Sequence, residues 1–275
     1  MAGLTARHGR FDRFRAAALA AVVAVVIAVM VAVCLWKARA PTDPLERTLA
    51  KLAALDYGLQ QKVCAHRSNN IPKYRSANKL FHCIEFDVVL DPPTGGPAAV
   101  YHPPAENNHG LTLDFLLANE DLPRGRVWLD VKDLSEDNWK PFLDQLMRLI
   151  PMGRRGDTII ETGWSAASVR HAAATFRESG FLFSYYLPTE EAIQCGAVSS
   201  RMCDDLRTEV LLTASMGFSH LSFDARAQVF VQSIRDRLPP SMRLLTWDIS
   251  GKWPQMDLIR EVDVYIVRFP SPFSS

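Results

Sequence analysis

Between residues 62 and 268 short apolar runs alternate with helical stripes, and this alternation limits what the chain can become. Runs that read as strands cover 62–66, 83–90, 98–102, 127–132, 158–161, 181–186, 218–223, 243–249 and 263–268. Helical patterns fall at 73–81, 112–118, 136–149, 165–178, 199–216, 226–237 and 254–261. Thr112, Ser135 and Ser165 stand where helix caps belong, and Gly180 and Gly217 stand where helices should stop. Strands separated by helices form a parallel sheet, because each crossover returns the chain to the same end of the sheet. The 98–102 run follows the turn cluster Pro92-Pro93-Thr94-Gly95-Gly96-Pro97 and pairs with 83–90 as a hairpin extension. Eight strand–helix units remain, which predicts a closed (β/α)8 TIM barrel over residues 61–270, with an open doubly wound sheet as the alternative. No glycine-rich fingerprint follows the first strand, which argues against a nucleotide site.

Ala16 to Trp36 is an unbroken apolar run, the length of one bilayer-spanning helix. Arg7, Arg10, Arg13 and Arg15 precede it, against the single acid Asp12, and Lys37 and Arg39 follow it. This charge pattern keeps residues 1–15 cytoplasmic and places the barrel outside the cytoplasm, as in a single-pass membrane protein held by an uncleaved signal anchor at 16–36. A cleaved signal peptide, ending at Ala38-Arg39-Ala40, is the rival reading. Residues 37–60 then form a linker, broken by Pro41 and Pro44, and a leading helix striped by Leu45, Leu49, Leu52 and Leu55. The formal net charge of +1 gives no reason to expect nucleic acid as a partner.

The run Cys83–Leu90 carries two carboxylates, Glu85 and Asp87, two residues apart and therefore on one face of a strand. Like charges that close repel and lose hydration, and a bound cation removes both penalties. The alternatives are a surface-facing acidic strand or neutralisation by an arginine. Asp87→Asn is expected to relieve the repulsion, keep the fold and abolish metal binding. Other strands end in chemistry as well: His66 and Arg67 close the first, His102 closes the third, and Asp130 and Lys132 close the fourth. Barrel active sites lie at the C-terminal ends of strands, so these residues should share one rim. Glu85, Asp87 and Asp130 offer hard oxygen donors for Mg²⁺ or Ca²⁺, unless Asp130 is taken up by an ion pair with Lys132. His66 and His102 suit general acid–base work, and Arg67 and Lys132 suit an anion such as a phosphodiester. A glycosidase, with one carboxylate on each side of a sugar bond, is disfavoured by the tight Glu85–Asp87 spacing.

The pattern His66-Arg67, Glu85-x-Asp87, His102 and Asp130-x-Lys132 resembles the glycerophosphodiester phosphodiesterases of the phospholipase-C-like superfamily. The likeness continues through Leu245-Thr246-Trp247 and Val262–Val267. It implies a TIM barrel, catalytic His66 and His102, a divalent metal on Glu85, Asp87 and Asp130, and substrate contacts from Arg67, Lys132 and Trp247. The implied substrate is a glycerophosphodiester or lysophospholipid. Ser68 replaces the family's usual glycine, Pro103 its aspartate, and Asp130 the glutamate usual as its third acid. Tyr101-His102-Pro103-Pro104 and Leu129-Asp130-Val131-Lys132 are closer to the menorin-like proteins, which implies as an alternative a non-catalytic barrel that binds a lipid headgroup or a protein partner.

Outside the cytoplasm thiols oxidise. Cys195 and Cys203 are spaced for a small disulfide loop; Cys64 and Cys83 begin adjacent strands and either pair or serve as buried apolar residues. For the anchor, full-length chain should stay in the membrane fraction through a carbonate wash. A soluble product whose N-terminus begins near Pro41 would identify a cleaved signal instead.

Overall fold

The computed structural model of the chain describes residues 21–31, 43–90, 96–104, 107–163, 170–248, 253 and 256–270. Two compact units divide it, residues 1–47 and 48–275. In the first unit residues 21–31 are helical, with exposed side chains. The rest of the expected anchor, 16–20 and 32–36, lies outside the described residues. No helix among the described residues is long and apolar enough to cross a membrane.

Among the described residues the second unit holds nine strands: Val63–His66 (β1), Cys83–Val89 (β2), Ala99–Val100 (β3), Arg126–Val131 (β4), Thr158–Thr162 (β5), Leu182–Tyr186 (β6), His220–Asp224 (β7), Arg243–Trp247 (β8) and Val264–Arg268 (β9). Parallel pairing runs from β2 through β4, β5, β6, β7, β8 and β9 to β1, and β1 pairs back to β2. The sheet therefore closes as an eight-stranded TIM barrel, not the open alternative. β3 is antiparallel to β2, with Val88 opposite Val100 and Val89 opposite Ala99. The turn cluster's residues 91–95 lie outside the described residues.

Helices follow the strands with local causes that can be named. Asn70 caps Ile71–Leu80 by accepting from Lys73 N, Thr112 caps Leu113–Asn119 through Phe115 N, and Ser200 caps Arg201–Ser215 through Cys203 N. Gly180 and Gly217 adopt φ of 93° and 97° after their helices, a conformation that glycine enters without a Cβ clash. Ser135 is not a helix cap: the helix runs Trp139–Leu149, and Asn138 Oδ1 instead accepts from Ser135 N at 2.7 Å. Ser165 lies outside the described residues. The expected 199–216 helix is Arg201–Ser215, but an additional helix, Thr189–Ala197, precedes it. A disulfide joins the two helices through Cys195 and Cys203.

Strand alternation sorts the barrel interior into layers. Its middle is a dry plug of Cys64, Cys83, Trp128, Ile159, Leu245, Val264 and Ile266. Trp128 is fully buried there, and truncating such an indole to alanine typically costs about 3–5 kcal/mol. Within the plug Cys64 and Cys83 face each other across the closing β1–β2 pair and are joined by a disulfide. The link thus locks the seam of the barrel, two residues below His66 and Glu85. Chain-entropy reasoning puts a loop of this size at about 3 kcal/mol.

Beneath the plug, at the N-terminal end, the interior becomes charged again. Asp263 lies 3.0 Å from Arg126, 3.6 Å from His220 and 3.8 Å from Arg243. The His220 contact and then Arg126 outweigh the cost of burial and hold the Asp263 carboxyl down at about 2, against an ordinary 3.8. A carboxyl depressed in the fold adds stability above its unfolded value, and that stability is lost as pH falls through the folded value. In urea titrations, the gap in unfolding free energy between the native chain and Asp263→Asn should therefore be constant above about pH 5 and shrink toward pH 2. A gap that does not change over that range would show that Asp263 is not held by these partners.

Candidate active site

The C-terminal ends of the strands open into a cavity of about 370 Å³. His66, Arg67, Glu85, Asp87, His102, Asp130, Lys132 and Trp247 all line it, so every site residue expected from sequence meets in one place. The register explains much of this. Asp87 of β2 sits opposite Asp130 of β4, which sits opposite Glu161 of β5. Three neighbouring strands thereby present a row of carboxylates to the same space.

Asp87 is the hub. Its Oδ1 accepts from His102 Nδ1 at 2.7 Å and lies 2.6 Å from Lys132 Nζ. Its Oδ2 accepts from Asn69 Nδ2 at 2.7 Å, and its own N–H donates to Asn69 Oδ1 at 3.0 Å. Lys132 also bonds Asp130, so one ammonium bridges two carboxylates. Arg67 takes up a left-handed conformation, φ 52°, unusual for a side chain with a Cβ. That turn carries the Arg67 N–H onto Glu85 Oε2 at 2.5 Å and the Ser68 N–H onto the Glu85 carbonyl at 2.9 Å. The Arg67 guanidinium reaches His102 Nε2 at 2.9 Å. An arginine can only donate, so Nε2 accepts and His102 carries its proton on Nδ1, toward Asp87.

These contacts separate carboxylates that look alike in sequence. Burial alone would raise the Asp87 carboxyl, but His102, Lys132 and Asn69 outweigh it and hold the group well below the usual range. Burial lifts Glu85 well above its ordinary value, and the charges of Asp87 and Asp130 add to the rise. Glu161 is raised too, first by burial and then by Asp130. Lys132 is held charged: Asp130 and Asp87 outweigh the desolvation that would lower it. Burial and the adjacent Arg67 push His66 down to about 3, so its ring is neutral throughout the ordinary pH range.

One oxygen from each of Glu85, Asp87 and Asp130 lies within 4.8 Å of the others. Hard oxygen donors of this kind are the type that Mg²⁺ and Ca²⁺ take. The ion pair foreseen for Asp130 with Lys132 is also present, so the same carboxylates already hold an internal cation.

The sequence reading missed Glu161, Asn69, Tyr186 and Asp248. Glu161, Tyr186 and Asp248 line the cavity, and Asn69 holds Asp87 through two hydrogen bonds. The signal for Glu161 was present, because it ends the recognised 158–161 strand just as Asp130 approaches the end of its own. The chain matches no protein-family model and no curated protein.

Asp87→Asn is therefore not the neutral substitution that a simple repelling pair implies, since it strips an ionised hub from three donors. Glu85→Gln should hold or raise the melting temperature of the metal-free protein, because it removes the carboxylate that burial disfavours, whereas Asp87→Asn should lower it. Differential scanning calorimetry of both variants in EDTA decides the matter. A lower melting temperature for Glu85→Gln than for Asp87→Asn would contradict this division of roles.

Proposed function

We propose that the chain is a metal-dependent phosphodiesterase acting on glycerophosphodiester- or lysophospholipid-type substrates, with its barrel held outside the cytoplasm by an N-terminal membrane anchor. The observation that carries the reading is the meeting of two histidines, Arg67, Lys132 and three carboxylates in one barrel mouth. The two disulfides fit an oxidising compartment.

Glu85, Asp87 and Asp130 would hold the divalent ion, Mg²⁺ or Ca²⁺, which supplies positive charge beside the phosphoryl oxygens. The remaining chemistry belongs to the chain. Arg67 and Lys132 draw the anionic phosphate to the mouth. Neutral His66 accepts the proton of the attacking hydroxyl, from water or from the substrate's own neighbouring alcohol, as the new P–O bond forms. The bond to the departing alkoxide breaks, and His102, having taken a proton from solvent on Nε2, gives it to that oxygen, while His66 releases the proton it accepted to solvent. Asp87, on Nδ1, orients His102 and stabilises its imidazolium, as a carboxylate behind a catalytic histidine does. For this to happen the Arg67 guanidinium moves from His102 Nε2 to the phosphate, which frees that nitrogen to face the leaving group.

A second reading, a non-catalytic barrel that binds a headgroup or a protein, is favoured by one observation. Lys132 already bridges Asp87 and Asp130, which lessens their need for a metal.

His66→Ala and His102→Ala should each lower turnover of a glycerophosphodiester by roughly 10²- to 10⁴-fold. A nitrophenyl phosphodiester, whose leaving group departs without a proton, should restore His102→Ala and leave His66→Ala slow. The same rates measured with and without EDTA test the metal. The opposite rescue pattern would exchange the two roles; a wild-type chain that binds phosphodiesters but cleaves none would establish the non-catalytic reading.

A further inference from the structure

The barrel has a second mouth, at the N-terminal ends of its strands, and it gathers cations where the first gathers carboxylates. A cavity of about 570 Å³ opens there. Lys62 stands immediately before β1, His82 immediately before β2, and Arg124 two residues before β4, and all three line it. These strands are neighbours in the sheet, so their leading residues meet in one space. Gly125 permits the approach: a Cβ there would lie 1.9 Å from the His82 carbonyl oxygen, which accepts the Arg126 N–H at 2.7 Å. Tyr57 packs edge-on against the His82 ring, with centroids 5.7 Å apart, and Gln61 borders the same cavity.

The acids of this mouth are already matched. Asp263 is held by Arg126, His220 and Arg243, and Asp157 lies 3.3 Å from Arg154. Asp56, beside Gly58, is turned to its own helix, where it accepts from Leu59 N at 2.9 Å. The donors are not all matched. Arg126 engages Asp263 through Nη1 alone. Lys62 Nζ donates to the carbonyls of Ile259 and Arg260 at 3.3 and 2.9 Å, which leaves one of its three protons. The Arg124 guanidinium, the Gln61 amide and the His82 ring nitrogens have no hydrogen-bond or ion-pair partner among the described residues. Lys62, Arg124 and Arg126 thus face two acids that other residues help to neutralise, and the surplus N–H groups surround open space. A cation gains nothing here, whereas an anion with several acceptor oxygens meets donors from three strands.

We propose that this N-terminal mouth is a second binding site, separate from the candidate active site, in which Gln61, Lys62, His82, Arg124 and Arg126 hold a phosphate group. A tetrahedral phosphate can take the Arg124 fork on one edge and the Lys62 and His82 donors on another, so donors spread over three strands suit it better than a planar carboxylate. The group belongs either to free phosphate or to a lipid headgroup. The proposal does not depend on the phosphodiesterase reading, which concerns the opposite mouth.

The test is calorimetric titration of the full-length protein in a neutral detergent, with EDTA and at constant ionic strength. The probes are inorganic phosphate and dihexanoyl phosphatidic acid below its micellar concentration. Arg124→Ala should weaken binding about 10- to 100-fold, the range expected when a charge-assisted pair is removed. His82→Phe keeps a ring against Tyr57 but removes its N–H; it should weaken binding by a smaller factor and serves if Arg124→Ala does not fold. Phosphate held at the opposite mouth would respond to Lys132→Met and not to Arg124→Ala, so these two variants tell the mouths apart. Tighter binding of inorganic phosphate identifies a soluble source, and tighter binding of the short-chain lipid a membrane one; either supports the site when Arg124→Ala weakens it. No binding of either probe, or binding that both Arg124→Ala and His82→Phe leave unchanged, overturns the proposal.

Discussion

Closure of the sheet between β1 and β2 is the constraint from which the site follows. Once the barrel is closed, every second strand residue points into a shared interior, and that interior has no solvent until its ends. Each inward position must then be apolar in the middle, or charged and compensated near a mouth. The sequence meets this in order along β2: Cys83 in the plug, then Glu85, then Asp87 at the rim. β4 repeats it with Trp128 and Asp130, and β5 with Ile159 and Glu161. The Cys64–Cys83 bond fixes the same seam covalently, so the strand that carries His66 and the one that carries Glu85 cannot part without unfolding the plug.

Charge compensation at the mouth is local and uneven. Asp87 takes donors from three separate segments, Asn69, His102 and Lys132, and stays ionised despite burial. Glu85 has the Arg67 N–H as its one named donor and is raised by its own neighbours. The strained backbone of Arg67 belongs to this balance, because only that turn points its N–H at Glu85 while the guanidinium lies over His102. Backbone strain of this kind costs on the order of 1–3 kcal/mol, comparable to a charge-assisted hydrogen bond to a buried carboxylate.

Much of this was legible in the sequence, for physical reasons. Period-two spacing put Glu85 with Asp87 and Asp130 with Lys132 on common faces, and the barrel rule placed His66, Arg67 and His102 beside them. Trp247 came from resemblance alone, and the cavity includes it. Glu161 escaped because a single carboxylate at a strand end has no neighbour two residues away to mark it. Tyr186 escaped because an aromatic strand end looks like core. The unequal fates of Glu85 and Asp87 could not be read at all, since Asp87's donors are separated from it by 15 to 18 residues or lie on another strand. The helix Thr189–Ala197 went unread although Glu190 and Glu191 in its first turn are a helix-start signal, because the stretch before Cys203 was taken for a loop.

The position of Lys132 bears most directly on how such a site works. Its ammonium lies between Asp87 and Asp130, the two carboxylates that a divalent ion would share with Glu85. This ammonium offsets the repulsion of adjacent ionised groups at the mouth. A divalent ion held there would compete with Lys132 for the same carboxylates, and an ammonium displaced from them would face the cavity it already lines. A phosphate anion in that cavity would offer the released charge a new partner. Metal and substrate would each favour the arrangement that admits the other, which is a positive coupling between two ligands carried by one side chain. Glu161, the next carboxylate along the row, is raised by burial and by Asp130, while Lys132 pulls it the other way.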